Sequence, residues 1–282
     1  MKNKKLARTI KSVFKHAFLL LAVYATALPF VSMVGTALKK PSIALSSSNL
    51  FPHSPDEFSL ESFKIVMTKT GFGQNLLNSL IVTVLTVSAC VLVTTCTGFA
   101  LSRFRGRYFS VYSVMLLVLQ MFPTMLLLLP LYIIFTRLRL VNTLGSVTLS
   151  YITTNLAFSI WMLRGFFDTI PVELEQSAMV DGCTRFQAFR RVIIPLALPG
   201  IATVAIFTFI NAWNEYTLAS IFLRKDSLLT MTLGLQKFVQ QYGADWASLM
   251  AASTIATIPT LIFLFFAQKY LIEGMTAGAV KG

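Results

Sequence analysis

Six stretches of this chain are free of charged residues and long enough to cross a lipid bilayer, and they decide the fold class before anything else. They run Ala17 to Leu38, Leu76 to Leu101, Tyr108 to Thr136, Leu140 to Leu163, Val192 to Asn214 and Trp246 to Gln268. A hydrocarbon core about 30 Å thick takes about 20 residues of helix, because every backbone N–H and C=O must be satisfied inside the segment. Only 12% of the 282 residues are charged and 55% are hydrophobic, against about 25% charged in a soluble domain. The surface such a chain presents belongs in lipid. The expectation is an all-α membrane protein with six transmembrane helices, with a tail over 1–16, a membrane domain over 17–270 and a second tail over 271–282.

The net charge of +13 is dispersed between the apolar runs instead of gathered in one patch, which argues against nucleic acid as a partner and for membrane lipid. Basic residues beside apolar runs orient a membrane protein, since they favour the cytoplasmic side. With both termini cytoplasmic, the inner segments hold 15 of the 24 Lys and Arg residues, among them the Arg103, Arg105, Arg107 turn. The first run exceeds a signal h-region and lacks a small-residue cleavage pattern, so it reads as a retained span. Cys90, Cys96 and Cys183 give neither a disulfide framework nor, with the isolated His16 and His53, a metal set. Cys90 and Cys96, in an apolar run, read as packing residues.

Pro29, Pro123, Pro130, Pro199 and Pro259 fall within the spans, where they kink helices or shape a path between them. Glu215 stands at the edge of the fifth run beside Trp213, Asn214 and Tyr216; an interfacial anchor and a functional carboxylate are both open there.

The loop over 168–195 carries the most chemistry. Pro171, Glu173 and Glu175 suit the first turn of a helix. Asp181-Gly182 ends that helix through a positive φ at glycine, and Thr184 with Gln187 forms a capping box that starts a second one. In the second helix Phe186, Phe189 and Ile193 share a face by spacing, with Arg185, Arg190 and Arg191 pointing elsewhere. A partner protein or the lipid surface could cover the apolar side; spacing leaves both open.

Ala178, Asp181, Gly182, Phe189, Val192, Pro195 and Pro199 follow the order and spacing of the EAA loop, and the segment resembles that of ABC importer permeases. The resemblance implies the type I importer permease fold, with this loop as coupling helices docked on an ATP-binding subunit. Glu175, Gln176, Ala178, Asp181, Gly182, Phe186, Phe189, Arg190 and Pro195 would then carry the coupling. Gln176 and Ser177 stand where the family usually has Glu and Ala, so a salt bridge assigned to that glutamate does not transfer.

The closing stretch LIEGMTAGAVKG is rich in glycine and expected not to continue as a regular helix. It resembles the tail of maltose-type carbohydrate permeases, which implies that Thr276, Gly278 and Lys281 lie at the ATPase interface. In the same family the outer loop between the last two spans, here Arg224 to Asp245, reaches into the sugar-binding protein, which implies contacts at Phe238, Gln240, Gln241 and Tyr242.

The resemblance thus implies the permease subunit of a carbohydrate importer in the bacterial inner membrane. Its partners would be a second homologous permease, two ATP-binding cassette subunits and an extracytoplasmic sugar-binding protein. The sequence holds no G-x-x-x-x-G-K-[ST] loop, so ATP and Mg2+ fall to the partners, and the chain is expected to bind no cofactor and to be no enzyme itself. Gln120, Asn155, Asn211 and Asn214 are candidates for touching sugar, because hydroxyl groups need donors and acceptors; interhelical hydrogen bonding is the plainer role. The rival readings are a permease for a non-sugar solute, an ion-coupled transporter, for which the runs hold no acidic or basic residue, and a membrane enzyme, for which they hold no catalytic set.

Overall fold

The structure is a computed structural model, and it describes residues 2–44, 46, 49–104, 106–240 and 245–279. Among these, everything regular is helical apart from one isolated bridge between Lys39 and Phe58. Four helical stretches are individually long and apolar enough to cross a membrane: Lys11–Ala37, Phe72–Arg103, Arg185–Asn214 and Trp246–Tyr270. The first belongs to α1, Lys2–Ala37, whose residues 11–26 are all exposed although none beyond His16 is charged. Such a surface needs lipid or another apolar protein.

The third expected run is not one helix. It forms α4, Arg107–Met121, and α5, Thr124–Arg137, bent by 101°. Pro123 forces this: the residue before a proline is pushed out of the helical region, and Phe122 is extended at φ −76°, ψ 123°. At about 1.5 Å per residue neither piece alone crosses the bilayer core. The fourth run, α6, Leu144–Asp168, is long enough but is not among the four stretches apolar enough to cross. Its Ser146, Ser150, Asn155 and Ser159 are turned into the protein, buried with Val147, Tyr151, Ile160, Leu163 and Phe167.

The chain divides into two compact units. One comprises residues 1–73 and 235–257. In it α2, Glu61–Lys69, buries Ser62 and Val66. Lys39 is buried and its Nζ donates to the Asn49 carbonyl. Phe72 meets Phe238 edge-on at 6.1 Å.

The other unit comprises residues 74–234 and 258–282 and holds the candidate site. It contains most of α3, Phe72–Arg103, then α4 to α6, and the hairpin of α7, Val172–Val180, and α8, Arg185–Ala188. A π-helical turn over Phe189–Ile193 leads into α9, Ile194–Asn214, followed by the short α10, Thr217–Phe222. Close packing of α6 on α9 depends on Gly200, where a Cβ would lie 2.5 Å from the Phe166 ring. At one end Leu163, Phe167, Ile170, Ile193, Ala197 and Val204 form a core with Phe99 and Phe189 against it. At the other, Phe135, Val147, Tyr151, Leu218, Phe222 and Leu229 form a second.

Three expectations change. The stretch 224–245, expected as a loop, contains α11, Met231–Gln240, with Met231, Leu233 and Phe238 buried. The sixth helix, α12, Trp246–Ala279, runs on through Gly274 and Gly278. Each glycine costs about 1 kcal/mol against alanine, but extending an existing helix needs no new nucleus. Phe186 does not share the buried face of Phe189 and Ile193; it is 69% exposed. The π-helical turn that follows it widens the helix and shifts the phase on which the spacing argument rested.

Candidate functional site

The hairpin is built by local rules. Pro171 precedes α7, and Glu173 and Glu175 occupy its first turn, where the helix dipole favours anions. At its end Gly182 has φ +90°; its N–H donates to the Met179 carbonyl at 3.1 Å and the Cys183 N–H to the Ala178 carbonyl at 3.0 Å. This pair of bonds satisfies carbonyls that the helix end leaves open. The capping box of α8 is formed in both directions: Gln187 N–H donates to Thr184 Oγ1 at 3.3 Å, and Thr184 N–H to Gln187 Oε1 at 2.8 Å. Beyond it, Ile194 N–H reaches back to the Phe189 carbonyl, one residue further than in an α-helix. Pro195 has no N–H to give the Arg191 carbonyl, so the ladder is already broken there.

The hairpin has an inner and an outer side. Glu175 and Ala178 are buried, and Phe189 is half-buried against Phe99 with ring centroids 4.5 Å apart. Gln176, Asp181, Gly182, Arg190 and Pro195 are exposed. So are Val172, Leu174, Val180 and Phe186, the last two at 86% and 69%. The outer side therefore carries large apolar groups flanked by Asp181 and arginines.

Glu175 is the junction. Its Oε2 lies 3.2 Å from Arg103 Nε and its Oε1 3.8 Å from Arg185 Nε. Arg103 also donates to the carbonyls of Phe167 at 3.2 Å and Ile170 at 3.0 Å. The side chains of Arg103 and Glu175 are 8% and 6% exposed, that of Arg185 61%. Phe99 and Phe104 lie under the two guanidinium groups, at 5.7 and 5.6 Å. Arg103 carries no role beyond loop charge in the sequence; it sits in the last turn of α3, far from Glu175 along the chain.

At the other end of α6 and α9 lies a cavity of about 330 Å³ of mixed lining, with Thr124, Thr154, Asn155, Asn211 and Glu215 beside Met125, Leu128 and Leu218. Asn211 Nδ2 donates to Asn155 Oδ1 at 3.0 Å, and Asn155 Nδ2 to the Tyr151 carbonyl at 2.8 Å. The Glu215 carboxylate accepts from the N–H groups of Leu218 and Ala219, and so anchors α10. Of the four candidates for the path, Asn155 and Asn211 meet here. Gln120 is exposed on α4, and Asn214 donates to the Ile210 carbonyl of its own helix; neither lines the cavity.

Phe238 cannot present its ring outward, because it is 2% exposed against Phe72, a neighbour that the loop's composition does not reveal. Gln240 ends α11, and Gln241 and Tyr242 lie outside the described residues. Thr276 and Gly278 lie in the last turns of α12, and Lys281 outside the described residues.

Comparison with known proteins gives a consistent family. The family model described as binding-protein-dependent transport system inner membrane component matches residues 95–277, a range that includes the hairpin and the cavity. The diacetylchitobiose uptake system permease protein of Streptomyces coelicolor is 38% identical over 90% of this chain and 91% of its own. The maltose/maltodextrin transport system permease protein of Salmonella typhimurium is 30% identical over 98% of both. Among solved structures, a bacterial ABC transporter involved in the import of the acidic polysaccharide alginate superposes with a TM-score of 0.80 at 20% identity, over 94% of this chain and 98% of that one. That likeness establishes the fold.

Proposed function

Because this chain belongs to the family of binding-protein-dependent transport system inner membrane components, we propose that it forms, with a second permease, the membrane path of an ATP-driven carbohydrate importer. It is a multi-pass subunit of the inner membrane. In this reading both termini are cytoplasmic, a binding protein delivers sugar to the opposite face, and two ATP-binding subunits drive transport. ATP and Mg2+ are theirs, and this chain performs no catalysis. The observation that carries the reading is the exposed apolar side of the hairpin, Val172, Leu174, Val180 and Phe186, within the family match.

That side suits a protein cleft: apolar groups in the middle, with Gln176, Asp181 and Arg190 around them for polar contacts at the rim. Gly182 holds the turn at φ +90°, and nothing in this chain lies within 4 Å of where its Cβ would be, which leaves the turn open to a partner. Thr276, Gly278 and Lys281 would approach the same ATPase pair. On the path, the Asn155–Asn211 pair supports passage of a hydroxyl-rich solute, since Asn211 keeps acceptor capacity facing the cavity. The named substrates of the relatives, diacetylchitobiose and maltose or maltodextrin, support the carbohydrate class.

The experiment is reconstitution of the complete complex in proteoliposomes and uptake of radiolabelled maltose, cellobiose and diacetylchitobiose. Uptake of at least one that requires both ATP and the binding protein is expected. Nucleotide-independent uptake, or transport confined to non-carbohydrate solutes, contradicts the reading.

A further inference from the structure

We propose that Arg103 and Glu175 are positioning residues that carry the motor's stroke into the membrane helices, so that the hairpin and the adjoining ends of α3 and α6 move as one body. The inference rests on the coupling role proposed above and adds the joint through which it acts. One guanidinium, from the last turn of α3, binds the carboxylate of α7 at 3.2 Å, the Phe167 carbonyl in the last turn of α6 at 3.2 Å and the Ile170 carbonyl of the linker at 3.0 Å. Those carbonyls belong to a helix end and its exit, where a cation is favoured; the Phe167 carbonyl also accepts from the Ile170 N–H at 3.1 Å. The other oxygen of the same carboxylate faces Arg185 at the start of α8, so both limbs of the hairpin meet at one group.

The energetics separate this joint from ordinary packing. A buried ion pair is often no more stabilising than apolar residues of the same volume, so stability alone does not explain a charge pair that is 8% and 6% exposed. What it adds is fixed geometry. Apolar surfaces let one helix slide on another, whereas a planar fork bound to acceptors on α6, the linker and α7 holds α7 at one position relative to α3 and α6. The Phe99 ring lies against the Arg103 guanidinium at 5.7 Å and helps keep water from it. A load applied at Phe186 or Gly182 therefore has a polar path to two membrane helices that does not run through the covalent turn at Pro171.

The test uses the complete complex in proteoliposomes and the disaccharide, among maltose, cellobiose and diacetylchitobiose, that the wild type takes up best. Disaccharide moved per ATP hydrolysed is measured together with the amount of ATPase subunit that co-purifies. Glu175→Gln, which keeps size but not charge, and Arg103→Lys, which keeps charge but not the fork, should each lower the ratio about tenfold with the ATPase still bound. Arg185→Gln, at an exposed arm, should lower it by about twofold or less. An unchanged ratio in the first two variants overturns the inference, and so does loss of bound ATPase in proportion to transport, which would make the pair an assembly contact. A wild-type complex that hydrolyses ATP and moves no disaccharide strikes the proposed function itself; wild-type uptake with unaffected variants strikes only the joint.

Discussion

The two ends of the α6–α9 pair treat polar groups in opposite ways. At the hairpin end, Arg103 and Glu175 satisfy each other, Arg103 also donates to the Phe167 and Ile170 carbonyls, and both side chains are closed off from water. At the far end, Asn155 and Asn211 are only partly spent on each other and open onto a cavity that also holds Thr124, Thr154 and Glu215. On the proposed function, the difference is that between a joint and a passage. A joint gains from polar groups with fixed partners, because a buried charge without one is expensive. A passage needs groups with capacity left over, because a solute must bind and then leave.

The contrast can be broken by experiment, beginning with the largest effect. Arg103→Ala leaves Glu175 buried with only the distant, exposed Arg185, and should cost about 3–5 kcal/mol. Thermal melting of the purified complex should show this as a marked loss of midpoint, and an unchanged midpoint would remove the case for a fixed joint. Gly182→Val places a β-branched side chain at φ +90°, a strain of about 1–3 kcal/mol. Membrane insertion should stay intact while ATP-driven uptake falls, and normal uptake in that variant would count against the hairpin as the coupling element.

Asn211→Ala sharpens the other half of the comparison. It removes the partner of Asn155 Oδ1 beside the cavity, a loss of about 1 kcal/mol in stability. Uptake kinetics should show a changed half-saturating sugar concentration, with sugar moved per ATP as in the wild type; the reverse pattern would erase the distinction between the two ends. The smallest effect is expected for Thr184→Ala, which removes the cap of α8 at an exposed position, about 0.5–1 kcal/mol. Proteolysis at the 181–184 turn should quicken without loss of the assembled complex.

What the sequence revealed follows how far apart the interacting residues are. Gly182, Thr184 and Gln187 are legible because a positive φ and a capping box are decided by neighbours, and both are formed. The clasp was not legible. Arg103 and Glu175 are 72 residues apart, and nothing in an arginine at a helix end says which carboxylate it meets. Phe186 is exposed while Ile193, beyond the π-helical turn, is buried, and Phe238 is buried against Phe72, which starts a different helix; neither parting is announced by local spacing. Pro123 marks an interruption but not its size of 101°, since α4 and α5 both pack on α6, which lies further along the chain. The family pattern, by contrast, lies in contiguous sequence, which is why the fold class could be read before the packing.

The central claim, that the exposed side of the hairpin seats the motor, is tested most directly by a photoreactive amino acid placed at Phe186 in the assembled, membrane-embedded complex. Irradiation should join this chain to the ATP-binding subunit, and the same probe at Asn211 should not. Cross-links from position 186 to lipid alone, with the ATPase present and active, would contradict the account.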